Sequence, residues 1–136
     1  MSDDLDLAEA LRAAVGDFVR RVRPLEAMPP GQLAALGHLH RDGALSIADL
    51  ARREAVRHQS MTRTVGLLAD QHLVTLRPDA LDRRQVVVVI TPAGTIRLTE
   101  ARRARAAVIA GTLTHLTPAE RDIAARIPEI LRKLTP

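Results

Sequence analysis

Polar side chains that could contact DNA bases are concentrated at the start of one predicted helix, Arg57 to Gln71. Met61, Val65 and Leu68 recur at the three- and four-residue spacing of a helical face, which predicts that they point into a core. The polar residues left to face outward near the helix start are Arg57, His58, Gln59, Ser60, Thr62 and Arg63. In the major groove a glutamine can pair with adenine and an arginine with guanine, while hydroxyl groups can bind the phosphate backbone. We therefore expect this face to bind DNA.

A second pair of basic residues lies in a predicted β-hairpin. A strand-like stretch, Val74 to Arg77, is followed by a turn and then by the β-branched run Gln85 to Ile90. Arg84, at the turn, could reach a narrow minor groove, or it could instead order the turn through a salt bridge with Asp82 or Asp79. Arg83 is the weaker DNA-binding candidate, because alternation along the strand points it to the other face.

Other chemistries find little support in the sequence. A metal site built from His38, His40 and His115 is not expected, because residues two apart on a helix point in different directions. There is no glycine-rich phosphate loop, no paired-carboxylate signature and no cysteine nucleophile. We therefore predict no catalytic residues, no metal, no cofactor and no enzymatic activity.

Composition sets further bounds. The chain has 136 residues, a net charge of +4, no cysteine and 1% aromatic residues, so its core must be built from aliphatic side chains. No apolar run approaches the length of a membrane span, and the acidic start of the chain is unlike a signal peptide. These features predict a cytoplasmic protein without a membrane partner.

The remaining helices are predicted from their periodicity and their end signals. A long amphipathic helix from Leu5 to Arg23 precedes one from Gln32 to Arg41, which Asp42-Gly43 ends. Ser46 and Asp49 form the start of a short third helix. After the hairpin, helices are expected over residues 91–114 and from the Thr117–Glu120 capping box onward, with Pro128 kinking or breaking the last one.

A helix, a turn, a second helix and a β-hairpin together make a winged helix. We therefore predict a mainly α fold with a small β-wing, in one continuous domain. Residues 31–94 form the DNA-binding lobe, and the helices of 1–30 and 95–136 form a dimerisation region. The terminal apolar stripes are most simply buried in a homodimer, whose two-fold axis would set two recognition helices about 34–36 Å apart.

The hairpin also resembles a known family signature. The pattern Asp-x-Arg, three residues, an aliphatic, one residue, an aliphatic, Thr, two residues, Gly is the wing signature of the multiple antibiotic resistance regulator (MarR) family. This sequence matches it at Asp82, Arg84, Val88, Ile90, Thr91 and Gly94. Leu50-Ala51 and the run Ser60 to Val65 resemble the family's first helix–turn–helix element and its recognition helix, and the order of elements agrees along the chain.

The resemblance implies a dimeric winged-helix transcriptional regulator, usually a repressor, that binds a pseudopalindromic operator in double-stranded DNA. Many family members release DNA when a small molecule binds between the dimerisation helices and the DNA-binding lobe. On that basis a candidate effector pocket would include Phe18, His38 and Arg41, with aliphatic rather than aromatic walls.

Three positions depart from the family pattern. Arg57 stands where a helix-capping serine is common, His72 replaces the glycine that often ends the recognition helix, and Pro128 interrupts the final helix. Two alternatives to an effector-released repressor remain open. One is a winged-helix module that binds a protein, and the other is a DNA-binding protein that responds to no effector.

Overall fold

The computed structural model describes residues 2–25 and 27–135, which form two compact units. One unit contains the chain up to Leu25 together with the chain from Ala104 onward, and the other extends through Arg103. The boundary at Ala104 falls inside a helix, so that helix contributes to both units. Within the described residues, no helix is long and apolar enough to cross a membrane.

The second unit is a winged helix. It contains helices α2 (Pro30–Asp42), α3 (Ile47–Arg53) and α4 (His58–Asp70), strands β1 (Leu45–Ser46), β2 (Val74–Pro78) and β3 (Val86–Ile90), and the first part of α5 (Pro92–Thr112). Its core is aliphatic. The largest fully buried side chains in that core are Leu36, Leu39, Leu50, Val65, Leu68, Val88 and Leu98. The predicted mainly α fold with a small β-wing is confirmed.

The sheet is antiparallel and has the strand order β1-β3-β2. The β2–β3 hairpin pairs Val74 with Ile90 and Pro78 with Val86, and residues 79–85 form its loop, called the wing loop below. The short strand β1 was not predicted from the sequence. Leu45 pairs with Val88, so β1 exists only because β3 lies beside it, and two residues show no periodicity of their own.

The helix ends follow the predicted signals where those signals are local. The Ser46 hydroxyl accepts a hydrogen bond from the Asp49 amide at 3.0 Å and caps α3. Gly43, with φ of 79°, ends α2. At the end of α4, the amide of His72 donates to the carbonyl of Ala69 and the amide of Leu73 to that of Leu68, which is a Schellman turn. His72 itself occupies the left-handed position, with φ of 60°.

The first unit is made of α1 (Ser2–Arg21), the second part of α5, a 3₁₀ turn at Leu113–His115 and α6 (Pro118–Leu134). The predicted capping box of α6 is confirmed: the Glu120 amide donates to the Thr117 hydroxyl and the Thr117 amide to the Glu120 carboxylate. Pro128 was predicted to kink or break the last helix, and the break is wrong, because α6 continues through Pro128 to Leu134. One proline removes a single amide donor, and the turns on either side keep their own hydrogen bonds.

The terminal helices expose their apolar stripes. The large apolar side chains of α1 and α6 that remain exposed within the single chain are Leu5, Leu7, Leu11, Val15, Phe18, Val19, Ile123, Ile127, Ile130, Leu131 and Leu134. In the described part of α6, no residue is fully buried. These two stripes are therefore apolar surfaces that a single chain leaves in water.

Candidate nucleic-acid interface

Helix α4 presents its polar face to solvent, because its apolar residues anchor the opposite face. Met61, Val65 and Leu68 are buried, as predicted from their spacing. The residues predicted to contact DNA are all exposed: Arg57, His58, Gln59, Ser60, Thr62 and Arg63. The fold thus brings these six positions together on one outward surface at the start of the helix.

Several of these side chains have no polar partner among the residues that the structure describes. Among residues 2–25 and 27–135, no side-chain hydrogen bond or ion pair involves Arg57, Gln59, Ser60 or Arg63. The Thr62 hydroxyl is partly used, since it donates to the carbonyl of His58 at 2.9 Å. A hydroxyl oxygen bound in this way can still accept a hydrogen bond. Among the described residues, Arg57, Gln59, Ser60 and Arg63 could therefore bind a polar surface without first breaking side-chain contacts.

Arg57 occupies the N-cap position of α4 without acting as a cap. Its backbone is extended, with φ of −69° and ψ of 149°, and its side chain makes no capping hydrogen bond. A serine at this position would satisfy one of the first amides of the helix. With arginine there, those amides are left to solvent or to an external acceptor, and a positive charge stands beside them.

Two aspartates hold the wing loop in shape. The Asp82 carboxylate accepts from both the amide and the Nε of Arg84, at 3.1 and 3.3 Å, and the Gln85 amide donates to the Asp82 carbonyl. The Asp79 carboxylate accepts from the Leu81 amide at 3.0 Å. The predicted Arg84–Asp82 salt bridge therefore exists, yet the Arg84 side chain is 92% exposed. An ion pair in such a position is weak and leaves the rest of the guanidinium available.

Arg83 lies outside strand β3, so the prediction that strand alternation points it away from DNA was wrong. Strand β3 begins at Val86, so Arg83, Arg84 and Gln85 all belong to the wing loop, where alternation does not apply. Both arginines are exposed. The sequence placed the start of the strand one residue too early because Gln85 precedes an unbroken β-branched run.

Thr91 joins the end of α4 to the base of the wing. Its amide donates to the carbonyl of Leu73 at 3.0 Å, and its hydroxyl donates to the carbonyl of His72 at 2.7 Å. The same hydroxyl accepts from the amide of Gly94 and so caps α5. A Cβ on Gly94 would lie 2.2 Å from the oxygen of Leu73, which only glycine avoids. These two residues fix the wing relative to α4, a role that their positions in the sequence did not reveal.

A polar network links the ends of α2 and α3. The Nδ1 atom of His38 accepts from Arg41 at 2.8 Å, which leaves Nε2 to donate to Glu54. Arg53 and Arg41 both donate to the Asp42 carboxylate. Partial burial raises the pKa of Asp42, but the hydrogen bonds from Arg53 and Arg41 outweigh it and hold the pKa below its usual value.

Comparison with known proteins identifies this arrangement. A sequence model of the MarR family matches residues 28–85. An HTH-type transcriptional regulator of Mycobacterium bovis is 36% identical over 137 residues, which cover 98% of this chain and 96% of that protein. The chain belongs to the MarR family. It is a helix–turn–helix transcriptional regulator of that family, as its wing signature implied.

Two further similar proteins are informative. The HTH-type transcriptional repressor MdtR of Bacillus subtilis is 29% identical over 102 residues, which cover 75% of this chain and 66% of that protein. The structure of BpsR from Bordetella bronchiseptica superposes with a TM-score of 0.67 at 26% identity, covering 96% of this chain and 99% of that one. The DNA binding of BpsR is regulated by 6-hydroxynicotinic acid.

The residues expected for a MarR-type effector pocket are divided between the two units. His38 and Arg41 lie on α2 in the winged-helix unit, where they bond to each other and His38 also bonds to Glu54. Phe18 lies on α1 in the other unit and is exposed. The pocket remains a prediction. In the described residues, no group of three histidine, aspartate or glutamate side chains is arranged to hold a metal ion.

Proposed function

We propose that this MarR-family chain is a dimeric repressor that binds a pseudopalindromic DNA operator and releases it when a small molecule binds. The observation that carries DNA binding is the outward face of α4, where Arg57, Gln59, Ser60 and Arg63 are exposed and unpartnered among the described residues. Their backbone is held by the buried face of the same helix. A rigid helix with free polar groups is suited to the major groove.

The proposed contacts divide by chemistry. Gln59 and Arg63 are suited to base edges, because an amide and a guanidinium can each form two hydrogen bonds with one base. Arg57, Ser60 and Thr62 are suited to phosphates, which position the helix without reading sequence. The exposed arginine side chains of the wing loop, Arg83 and Arg84, are suited to the minor groove and the adjacent phosphates.

The exposed stripes of α1 and α6 support the dimer. Each stripe would leave several large aliphatic side chains in water if the chain remained a monomer, for example Val15 and Ile130. Burial of apolar area stabilises association by about 25 cal/mol per Å² before the costs of association are subtracted. A two-fold dimer formed by these helices would present two copies of α4, as a pseudopalindromic site requires.

Repression and effector release are supported by relatives. MdtR is a repressor, and the DNA binding of BpsR responds to a small aromatic acid. In this chain such a ligand would act by population shift. It would favour a spacing of the two α4 helices that does not match successive major grooves, and operator affinity would fall by the ratio of its affinities for the two states.

The test is an electrophoretic mobility shift series on the DNA that flanks the gene encoding this chain. Wild type is compared with Arg63→Ala and with Arg121→Ala, a matched loss of an exposed arginine on α6. We expect Arg63→Ala to weaken binding to one palindromic segment about 10- to 100-fold and Arg121→Ala to leave it unchanged. Comparing duplexes across a salt series separates specific from non-specific binding, because non-specific binding is equal on any duplex and falls steeply as salt rises.

Other outcomes would replace the proposal. Equal affinity for every duplex, with no loss in Arg63→Ala, would indicate non-specific association. Absence of binding to any duplex would favour a protein-binding module instead. Operator binding that no small molecule from a screen of aromatic acids weakens would leave a DNA-binding protein without effector control.

A further inference from the structure

The most exposed large apolar side chain of the wing is at its tip. Leu81 is 99% exposed. Its backbone is nevertheless held, because its amide donates to the Asp79 carboxylate and the Asp79 amide donates to the Gln85 carbonyl, both at 3.0 Å. A leucine in this position gives the isolated fold no packing energy, since it contacts water on all sides.

The apolar surface of the wing leads towards this loop. On one face of the hairpin, Val74 and Val88 are buried in the core. Further along the same face, Leu76 is 46% exposed and Val86, which pairs with Pro78, is 39% exposed. One face of the hairpin is therefore aliphatic along its whole length, from the core to the wing loop.

The positive charge around the tip favours binding to a polyanion. Arg83 and Arg84 lie two and three residues after Leu81 in the loop, and Arg77 lies near the end of β2. These three arginines are exposed. The two nearby carboxylates, Asp79 and Asp82, are hydrogen-bonded within the loop. An apolar tip surrounded by exposed guanidinium groups fits the minor groove, whose phosphates attract arginine while its sugar and base edges accept an aliphatic side chain.

We propose that Leu81 enters the minor groove of the bound DNA and contacts the floor of the groove beside Arg84. This inference rests on the proposed DNA binding and adds a sequence-determining residue to it. A floor of A·T pairs is smooth, whereas each G·C pair adds the exocyclic amino group of guanine, which would meet the leucine side chain. Leu81 therefore makes the protein prefer A·T pairs at the positions beneath the wing.

The test uses the duplex that wild type selects from a random DNA library. Leu81→Ala and Leu81→Ser are compared with wild type and with Leu25→Ala, a leucine that is equally exposed but lies outside the winged-helix unit. We expect both Leu81 variants to bind the selected duplex about 5- to 20-fold more weakly, from the loss of a partly buried aliphatic contact. Leu25→Ala should bind as wild type does.

The salt dependence identifies the kind of contact. Loss of Leu81 should lower affinity by the same factor at every salt concentration, because no charge is removed. Loss of Arg84 should also reduce the slope of log affinity against log salt, by about one. Wild-type affinity for the same duplex tests the proposed function separately, so a failure of DNA binding cannot be mistaken for a failure of this inference.

Base substitution completes the test. Replacing the A·T pairs beneath the wing with G·C should weaken wild type more than Leu81→Ala, whereas inosine·C, which lacks the amino group, should be tolerated. The inference is overturned if the Leu81 variants bind as tightly as wild type, or if their loss of affinity comes with a change in oligomeric state by light scattering. Because the side chain of Leu81 is almost fully exposed, its variants should keep the wild-type melting temperature, which serves as the folding control.

Discussion

At the scale of single residues, a left-handed backbone position accounts for one departure from the family pattern, His72. His72 has φ of 60° at the end of α4, and Ala55 has φ of 52° in the turn between α3 and α4. Residues other than glycine pay about 1–2 kcal/mol in this conformation. The amide of Val56 donates to the carbonyl of Ala51 and that of Leu73 to Leu68, so in both turns hydrogen bonds hold the strained residue. The chain tolerates His72 in this conformation because a backbone hydrogen bond between Leu73 and Leu68 holds the turn.

The close contact at Gly94 predicts that a larger residue there destabilises the protein. In Gly94→Ala the new Cβ would lie 2.2 Å from the oxygen of Leu73 and 2.7 Å from the side chain of Ile90, so the backbone at the base of the wing must move. We expect the free energy of unfolding to fall by about 3 kcal/mol. Urea denaturation followed by circular dichroism measures it.

A second glycine provides the control for this variant. Gly66 lies inside α4, and a Cβ added there would have no neighbouring atom within 4 Å, so Gly66→Ala should be neutral or stabilise the protein by up to about 1 kcal/mol. Equal effects of the two substitutions would mean that helix propensity, rather than the close approach to Leu73, determines the result at position 94.

At the scale of elements, the sequence predicts well those features that depend on near neighbours. Ser46 and Thr117 cap their helices as expected, and the buried face of α4 follows from its spacing. Features that depend on distant residues were missed. Strand β1 requires β3, and the link between His38 and Glu54 requires two residues that are 16 positions apart in sequence to meet. No local pattern encodes either contact.

The same distinction applies to the candidate site. The outward face of α4 could be predicted because it lies opposite the apolar stripe of Met61, Val65 and Leu68, whose spacing is visible in the sequence. The facing of Arg83 could not be predicted, because Arg83 lies in the turn that was predicted between the strands and alternation holds only within a strand. The shape of that loop is set by hydrogen bonds of Asp79 and Asp82. The role of Thr91 in joining the wing to α4 was also hidden, since its partner His72 is 19 residues away.

The capping box of α6 predicts that part of the protein's stability depends on pH. The pKa of Glu120 is held below its ordinary value because its carboxylate accepts hydrogen bonds from Thr117 in the folded state. A carboxyl group whose pKa is lowered by folding stabilises the protein at pH values above its unfolded pKa and loses that contribution as pH falls through its folded pKa. We expect wild type to be more stable than Glu120→Gln at pH 7, and the difference to shrink below about pH 4.5.

Thermal unfolding of both proteins between pH 7 and pH 3 tests this. Glu129→Gln is the matched control, because Glu129 is on the same helix and its contact, a 3.6 Å ion pair with Lys133, is exposed. The control should show a much smaller pH-dependent difference from wild type. A constant difference between wild type and Glu120→Gln across the whole range would show that the cap does not require the charged carboxylate.

At the scale of the whole molecule, the two units differ in how much of their apolar surface they bury. The winged-helix unit has a buried apolar core, whereas α6 buries none of its described residues and α1 exposes six large apolar side chains. Ile123, Ile127, Ile130 and Leu134 lie within a narrow arc of α6, which is the arrangement of a helix that packs along its length. An exposed stripe of this size in one chain is typical of an interface between chains.

The third prediction concerns Ile130, at the middle of this stripe and 53% exposed in the single chain. In a two-fold dimer, Ile130→Glu would place an unpaired carboxylate in the apolar interface twice, once from each chain. We expect the dissociation constant of the dimer to rise at least about 100-fold, as measured by sedimentation equilibrium. Operator affinity should fall with it, because one chain carries a single α4 and a half-site supplies fewer contacts than a full site.

Ala125→Glu separates this effect from the added charge. Ala125 lies on the opposite side of α6 and is exposed, so the same carboxylate there would remain in water and the dimer should persist. If Ile130→Glu still sedimented as a dimer and bound the operator with wild-type affinity, the α6 stripe would not be the interface. If instead it lost both dimerisation and operator binding while the winged-helix unit stayed folded, operator recognition would depend on two α4 helices held in one dimer, and the proposed effector would act by changing the distance between them.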